Sequence, residues 1–278
     1  MMLAAMQNVP KTPPHGRVLK LHRNAVFGEV SNTALQPQTR TKPPVTLIGT
    51  DCAINYLTFG VPTDLACRAT GRGGARNSAS RETNELSLLH VGNLIAAARH
   101  ADAIGLPFTR MISIHWQAAG IPLAGMVKAS GHFTDLLTKT LARHGSRTAW
   151  LWVHENARGA DKGGHCHLLA HVPADLVSRL TGLQRGWLRR ITGKPYVADV
   201  IHSKPIGGRL GLEVGNPDLH AVNLAVAFGY VCKGARQATL DALRIDRVHE
   251  PGGRVIGKRC GTSQNIGAKA RRGGMTDG

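Results

Sequence analysis

The order of strand-like and helix-like segments between residues 107 and 203 constrains the fold of this 278-residue chain more than any other feature. Residues 107–116 are rich in apolar and β-branched side chains, which is typical of a strand. Residues 132–144 place apolar side chains at helical spacing, and Gly145 is positioned to end that helix. Two strands, a helix and a short strand are predicted next, over residues 147–154, 165–172, 174–191 and 197–203.

This βαββαβ order predicts an α+β domain with the ferredoxin-like, split-βαβ arrangement, in which the sheet is antiparallel. A further helix is predicted over residues 216–233, because Asn216 is a good N-cap and Gly234 follows at the C′ position. We expect this helix to pack beside the sheet in a domain of residues 106–272, followed by a short tail at 273–278.

The first 105 residues have weaker patterns. Residues 1–45 are rich in Pro, Thr, Lys and Arg, which indicates a basic, flexible and mostly disordered N-terminal extension. Residues 46–105 are interpreted as a small N-terminal segment. Within it we expect a strand or hairpin arm, a basic Gly/Ser linker and a helix, at residues 51–63, 68–81 and 86–103.

The charge of the chain favours a polyanionic partner. Lys and Arg number 35 against 17 Asp and Glu, a net charge of +18, and neutralising phosphates releases condensed counterions. Charge alone fits a ribosomal-type or generic nucleic-acid-binding surface equally well. The chain contains no membrane-spanning apolar run and no secretory signal. Its five cysteines are scattered without a CxxC pair, which disfavours a disulfide framework. We therefore expect a soluble, cytoplasmic protein with no membrane partner.

His165, Cys166 and His167 lie in an apolar strand-like run and form the strongest local signal. Because side chains alternate across a strand, His165 and His167 share one face while Cys166 points to the other. Two imidazoles on one face can chelate a divalent cation. The alternative is a pair of partly exposed histidines on a solvated sheet face.

Glu155 is the candidate for a third ligand, because a hairpin would bring the end of the preceding strand beside the histidine pair. His154 competes for this role, but adjacent strand residues face opposite ways, so only one of them can join. Carboxylate and imidazole ligands suit Mg²⁺, Mn²⁺ or Zn²⁺, and a phosphate-processing site favours Mg²⁺ or Mn²⁺. Otherwise Glu155 offsets the charges of Arg158 and Lys162.

Tyr230 and Lys233 form the second signal. Three residues apart on a helix, they share a face. An ammonium stabilises the negative charge that a tyrosine nucleophile carries, and it can also hold a phosphate. The alternative is a tyrosine that anchors the core beside a lysine whose stem lies along apolar surface.

Basic segments flank these motifs. Residues 179–209 contain seven Lys and Arg against one acid, Asp199. Arg189 and Arg190 can contact DNA from this segment or simply form a solvated helix face. Residues 257–272 are interpreted as a phosphate-contacting extension or, alternatively, a solubilising tail.

Taken together, an HxH strand followed by YxxK on a helix resembles the HUH endonuclease superfamily of rolling-circle replication initiators and relaxases. The resemblance covers residues 107–270, with a possible first motif at 108–116. The order of the motifs and the βαββαβ scaffold both fit this family, which carries its histidine pair on a central strand.

The resemblance implies a mechanism. His165, His167 and Glu155 would hold a metal that polarises the scissile phosphate. Tyr230 would attack phosphorus, leaving a 5′-phosphotyrosine and a free 3′-hydroxyl that primes DNA synthesis. Lys233 would orient a phosphate or assist the tyrosine. The target would be single-stranded or extruded origin DNA, held mainly through its backbone.

The chain also departs from parts of the family. Val226 and Gly234 stand where phage-type initiators carry a second tyrosine, which indicates a single-tyrosine enzyme. The run Gly252–Lys258 continues with Arg259 instead of Ser or Thr, so no phosphate-binding loop is expected and a host helicase is required. Leu169 occupies the position of a third histidine, which favours replication initiators over conjugative relaxases.

The sequence therefore predicts a site-specific single-strand DNA endonuclease and strand-transferase that initiates replication of a plasmid, phage or mobile element. A relaxase or transposase would use the same chemistry. A non-catalytic DNA-binding protein with an HUH-like fold would need neither the histidine pair nor the tyrosine. A basic RNA-binding protein is a third possibility, although aromatic residues for stacking are few.

Overall fold

A computed structural model describes residues 81–156, 163–206 and 216–273. The predicted basic tail, the arm at 51–63 and the linker up to residue 80 lie outside the described residues. The described part forms α1 (Leu88–Ala103), α2 (Met126–Arg143), α3 (Val177–Thr192), α4 (Pro217–Cys232), α5 (Gln237–Ala242) and α6 (Ala268–Gly273). Its strands are β1 (Glu82–Thr83), β2 (Arg110–Ile114), β3 (Trp150–Asn156), β4 (Gly164–Ala170), β5 (Ile201–Pro205), β6 (Val255–Ile256) and β7 (Cys260–Thr262). None of these helices is both long and apolar enough to cross a membrane.

Five of the strands form one antiparallel sheet, and β1 pairs with β6 in a separate two-stranded ribbon. The order across the large sheet is β5-β2-β4-β3-β7. The predicted mixture of helices with an antiparallel sheet is confirmed. Strand β4 lies at the centre, and all seven of its residues are buried, so a side chain on β4 is covered whichever face it points to.

Helices cover both faces of the sheet. Val153 and Leu169 pack into a core with α1 and α4, whereas Trp152 and Leu168 pack into a second core with α2 and α3. Neighbouring strand residues enter opposite cores because side chains alternate across a strand. Because both faces of β3 and β4 are buried in this way, their sequences are nearly continuous apolar runs.

Helix α2 begins at Met126, six residues before the predicted start at residue 132. Met126, Ala129 and Phe133 are all buried, and they continue one apolar stripe at helical spacing. The glycine at position 131 interrupts the sequence pattern, but it lies on the exposed side of the helix. Packing of the stripe against the sheet therefore determines where the helix starts.

Helix α4 agrees with its predicted bounds at the N-terminus. The side chain of Asn216 accepts a hydrogen bond from the backbone N–H of Leu219 at 3.0 Å. Gly234 differs from expectation, because it is not among the residues with a left-handed φ. A Cβ added to Gly234 would lie 3.4 Å from the Cα of Gly252, so the absent side chain allows close approach of two backbones.

The strands are shifted from their predicted bounds. Strand β3 runs on to Asn156 and so includes Glu155. Strand β5 starts only at Ile201, because Asp199 adopts a left-handed φ of 59° and turns the chain. Strand β7 was not predicted. It pairs with β3 and makes the predicted extension at 257–272 part of the folded domain.

Helix α1 belongs to the same core as the sheet, although the predicted domain began only at residue 106. Leu94 and Ile95 are fully buried in the core that contains Leu151. The backbone N–H of Leu86 also donates to the oxygen of Gly234 at 3.0 Å. The chain from β1 onward therefore folds as one unit with the predicted domain.

Candidate metal centre and tyrosine site

The two histidines of β4 project into the core between the sheet and α4. His165 and His167 are 4% and 3% exposed, and Cys166 packs into the opposite core. The alternative of a solvated histidine face is therefore excluded. A buried imidazole needs partners for both ring nitrogens, so the surroundings of this pair determine what it can bind.

Glu155 lies directly beside the histidines. The register of β3 and β4 pairs Glu155 with His165, and its Oε2 lies 3.2 Å from His165 Nε2 and 3.5 Å from His167 Nε2. One ligand atom from each of the three residues lies within 4.8 Å of the other two. Among the described residues, no other group of three His, Cys, Asp or Glu side chains meets this distance criterion.

His154, the competing candidate, points into the opposite core. Its Nε2 accepts from the hydroxyl of Ser130 at 2.7 Å, and its Nδ1 donates to the backbone oxygen of Lys258 at 3.1 Å. Burial lowers the pKa of His154 to about 3, and the nearby charge of Arg259 also lowers it. Both nitrogens of this neutral ring are used within the fold, so His154 has none left for a metal.

Hydrogen bonds on the far side of each ring fix the orientation of the histidine pair. His165 Nδ1 donates to the backbone oxygen of Gly163 at 2.9 Å. His167 Nδ1 shares a hydrogen bond of 2.9 Å with the hydroxyl of Ser113 on β2. Partners of this kind orient metal-binding histidines. Both Nε2 atoms are consequently aimed at Glu155.

Buried atoms without partners lie at the same point. His167 Nε2 and Glu155 Oε1 have no hydrogen-bond partner, which is uncommon for buried polar atoms. His165 Nε2 faces the same point, 3.2 Å from Glu155 Oε2. Three potential ligand atoms this close can share one cation, so the three residues could hold a metal ion.

The protonation states also suit ligation. Burial raises the pKa of Glu155, but the adjacent imidazoles of His165 and His167 and the charge of Lys233 outweigh it, so the pKa lies well below its usual range. Burial lowers the pKa of His167. A carboxylate and a neutral imidazole at neutral pH are the ligand forms that a metal requires.

Tyr230 reaches the site from α4. Its ring centroid lies 5.0 Å from that of His167, in an edge-to-face arrangement, and the residue is partly exposed. Val226, one helical turn earlier, is 66% exposed. The tyrosine thus lies between the buried histidine pair and solvent.

Lys233, the residue that follows α4, lies beside Tyr230 and directs its ammonium at Glu155. Its Nζ donates to Glu155 Oε2, lies 3.7 Å from Glu250 Oε2 and stands 5.0 Å from the centroid of the Tyr230 ring. The lysine is buried. Its nearest partner is therefore the candidate metal ligand Glu155.

Residues that sequence reasoning missed complete the surroundings. The guanidinium carbon of Arg247 lies 5.3 Å from the centroid of the Tyr230 ring, and Arg247 pairs with Glu250 at 2.8 Å. The ring of His115 stacks on that of His165 at 5.4 Å and meets His202 of β5 at 6.0 Å. Two residues of the possible first motif lie at this site: Ser113 hydrogen-bonds to His167, and His115 stacks on His165.

The predicted basic extension at residues 257–272 is partly internal. Arg259 is buried and donates to the backbone oxygens of Thr83 and Gly253. Arg271 donates to the side chain of Asn93 at 2.6 Å. These arginines hold the C-terminal segment against β1 and α1, so they are not available to DNA phosphates.

No protein-family profile, curated protein or solved structure matches this chain. The assignment of function therefore depends on the geometry of the site.

Proposed function

We propose that this protein is a metal-dependent single-strand DNA endonuclease and strand-transferase of the HUH type, which initiates rolling-circle replication of a plasmid, phage or mobile element. The observation that carries the proposal is the position of Tyr230, whose ring contacts His167 within a buried Glu-His-His group. A nucleophile beside a metal centre is the arrangement that phosphoryl transfer requires.

The architecture supports the proposal. Strands β2, β3, β4 and β5 occur in βαββαβ order with α2 and α3, and they lie in the sheet in the order β5-β2-β4-β3. We infer a ferredoxin-like arrangement, extended at one edge by β7. In this proposal β4 is the central histidine-bearing strand, and α4 is the additional helix that carries the tyrosine.

Glu155, His165 and His167 would hold Mg²⁺ or Mn²⁺. The bound ion would polarise the scissile phosphate and offset its developing charge. The residues themselves orient the site, because Ser113 and the backbone of Gly163 fix the two imidazoles. Burial of the carboxylate keeps water away from it and strengthens its interaction with cations.

Tyr230 would supply the nucleophile. Its phenolic oxygen forms a bond to phosphorus as the P–O3′ bond breaks, the phenol proton passes to solvent, and the 3′ oxygen leaves as a hydroxyl. The product is a 5′-phosphotyrosine, and attack of a 3′-hydroxyl on this ester reverses the step and joins strands. Arg247, beside the ring, would contribute positive charge near the phosphate.

A single tyrosine at the site would limit the reaction to one covalent adduct at a time. Val226, on the same face of α4 one turn before Tyr230, is exposed and has no nucleophilic atom. This supports a single-tyrosine initiator, and it leaves duplex opening to a helicase from the host.

One observation favours a second candidate, a non-catalytic DNA-binding protein with an HUH-like fold. The ammonium of Lys233 already neutralises Glu155, so the site can satisfy its buried carboxylate without a metal. In that protein the histidines and Tyr230 would be structural, and no covalent adduct would form.

The test is covalent capture of DNA. Labelled single-stranded DNA from the protein's own element is incubated with Mn²⁺ or Mg²⁺ and separated by denaturing electrophoresis. We expect a protein-linked band that disappears with EDTA and in Tyr230→Phe. Tyr196→Phe is the matched control, because Tyr196 packs in the core on the other face of the sheet. Binding without an adduct under either metal favours the non-catalytic candidate.

A further inference from the structure

A groove lies on the outer side of α3, on the face of the sheet opposite to the tyrosine site. Its volume is about 760 Å³. The residues that line it include Gly186, Arg189, Arg190, Gly193, Lys194 and Tyr196. The buried side of α3 packs into the core with α2, so these residues have no part in the proposed nuclease chemistry.

The sequence of α3 builds this groove. Trp187 and Leu188 are buried against the sheet, which turns Arg189 outward. Gly193 ends the helix with a left-handed φ of 66°, and the chain then turns back to form the second wall. A Cβ added to Gly186 would meet no atom within 4 Å, so the lining of the groove has room for a side chain at this position.

The chemistry of the groove is cationic. Arg189, Arg190 and Lys194 are exposed, and no Asp or Glu is among the lining residues. The guanidinium carbon of Arg185 lies 5.3 Å from the centroid of the Tyr196 ring. This arginine covers one face of the ring, so an unpaired base cannot stack on that face.

We propose that this groove binds the sugar-phosphate backbone of duplex DNA. Clustered guanidinium groups on a concave surface recognise phosphates, and such contacts position DNA without reading its sequence. Single strands are bound chiefly where aromatic rings stack on bases, and the one aromatic ring of this groove has a face already covered by Arg185. The net charge of +18 adds attraction for the same partner. The inference does not depend on Tyr230 or on a metal.

The first test measures affinity for a blunt, labelled duplex in EDTA over a series of salt concentrations. The double variant Arg189→Ala/Arg190→Ala removes two phosphate contacts, and each contact contributes about 0.9 to the slope of log K against log salt. We expect the slope to become shallower by roughly two. Arg143→Ala/Arg147→Ala is the matched control, because both arginines are exposed at the far end of α2. It should leave the slope unchanged.

A second pair of variants guards against misfolding. Gly186→Glu places a carboxylate in the groove, whereas Gly182→Glu makes the same change on α3 outside the lining residues. Neither added Cβ meets an atom within 4 Å, so both should fold, as thermal unfolding will verify. We expect the decrease in log K for duplex binding to be at least twice as large in Gly186→Glu as in Gly182→Glu.

Three results would overturn the proposal. The first is an unchanged salt slope in Arg189→Ala/Arg190→Ala. The second is an equal loss in Arg143→Ala/Arg147→Ala, which would mean that net charge alone attracts the duplex. The third is unchanged duplex binding together with weaker binding to anionic phospholipid vesicles, which would assign the groove to a membrane surface.

Discussion

At the scale of single residues, Glu155 is the point where the contacts of the site converge. It is fully buried and contacts two histidines and a lysine. A buried carboxylate is strongly unfavourable unless positive charge or hydrogen bonds compensate it. Lys233 provides that compensation from within the chain, so Lys233 and a metal would compete for the same oxygen.

The competition leads to a prediction for Lys233→Met. Removing the ammonium frees Glu155 Oε2, so we expect Mn²⁺ to bind about tenfold more tightly, equivalent to about 1.4 kcal/mol. In EDTA the variant leaves a buried charge without its partner, and the free energy of unfolding should fall by roughly 3 kcal/mol. Calorimetric titration and chemical denaturation measure the two effects.

Lys139→Met is the control for this change. Lys139 pairs with Asp135 on the surface of α2 at 2.8 Å, and both side chains are more than half exposed. Exposed pairs of this kind contribute less than about 1 kcal/mol, so neither stability nor Mn²⁺ affinity should change appreciably. If Lys233→Met binds Mn²⁺ no better than the wild type, Lys233 does not occupy a metal-binding position.

Arg247 is the second residue whose role can be tested. Its guanidinium stands over the ring of Tyr230, where positive charge would stabilise the phosphate during attack. We expect Arg247→Ala to slow adduct formation by roughly a hundredfold, the effect of losing one transition-state donor, with little change in DNA binding. Arg244→Ala, three residues earlier and exposed, should behave as the wild type. A matching loss of DNA affinity in Arg247→Ala would instead make Arg247 a binding residue.

At the scale of elements, the first turn of α1 contains a pH-sensitive cap. Ser87 accepts a hydrogen bond from the backbone of His90, and His90 Nδ1 accepts one from the backbone N–H of Ser87. Burial lowers the pKa of His90 below its ordinary value of 6.5, as do the charges of Arg81, Arg259 and Lys258. The ring must be neutral to accept this bond.

The sign of the pH dependence follows from that shift. Below pH 6.5 the unfolded chain takes up a proton at His90 before the folded chain does, so stability falls as the pH decreases through this range, by at most about 1.4 kcal/mol per pH unit. His90→Gln keeps an acceptor for the cap without a titrating group. Its denaturation midpoint should depend less on pH between 5 and 6.5 than that of the wild type, and an identical dependence would contradict the assignment.

Periodicity predicted the elements that build the scaffold, and it failed where tertiary packing decides the structure. The apolar stripe of α3 follows directly from helical spacing, and α4 was predicted from its N-cap Asn216 and the following Gly234. Strand β7, by contrast, has three residues and no apolar alternation, and it exists because the unpaired edge of β3 is available to it. The start of α2 was likewise set by contact of Met126 with the core and not by local sequence.

The candidate site, like the fold, was predictable where local periodicity determines the geometry and not where tertiary packing does. Strand alternation places Glu155 with the histidine pair and His154 away from it, and helical spacing places Tyr230 and Lys233 on one face. The partner of Lys233 could not be predicted, because it depends on how α4 crosses the sheet. Arg247 lies in an irregular segment after α5, where no periodic pattern links a residue to the site.

At the scale of the whole molecule, the sheet separates two surfaces with different chemistry. One face carries the buried anionic Glu155 surrounded by histidines, Lys233 and Tyr230, and the other carries the exposed cationic groove of α3. Under the two proposals, a single strand would be cut on the first face while duplex DNA is held on the second. Each surface can be disabled without touching the other, because a layer of buried strand residues lies between them.

The most direct test of the central claim identifies the residue that becomes linked to DNA. Wild-type protein is incubated with Mn²⁺ and single-stranded DNA from its element, digested with nuclease and protease, and its peptides are sequenced by mass spectrometry. We expect a 5′-linked nucleotide on Tyr230, absent when EDTA is present. A nucleotide on any other residue would contradict the assigned nucleophile, and the absence of any linked peptide despite DNA binding would contradict the nuclease itself.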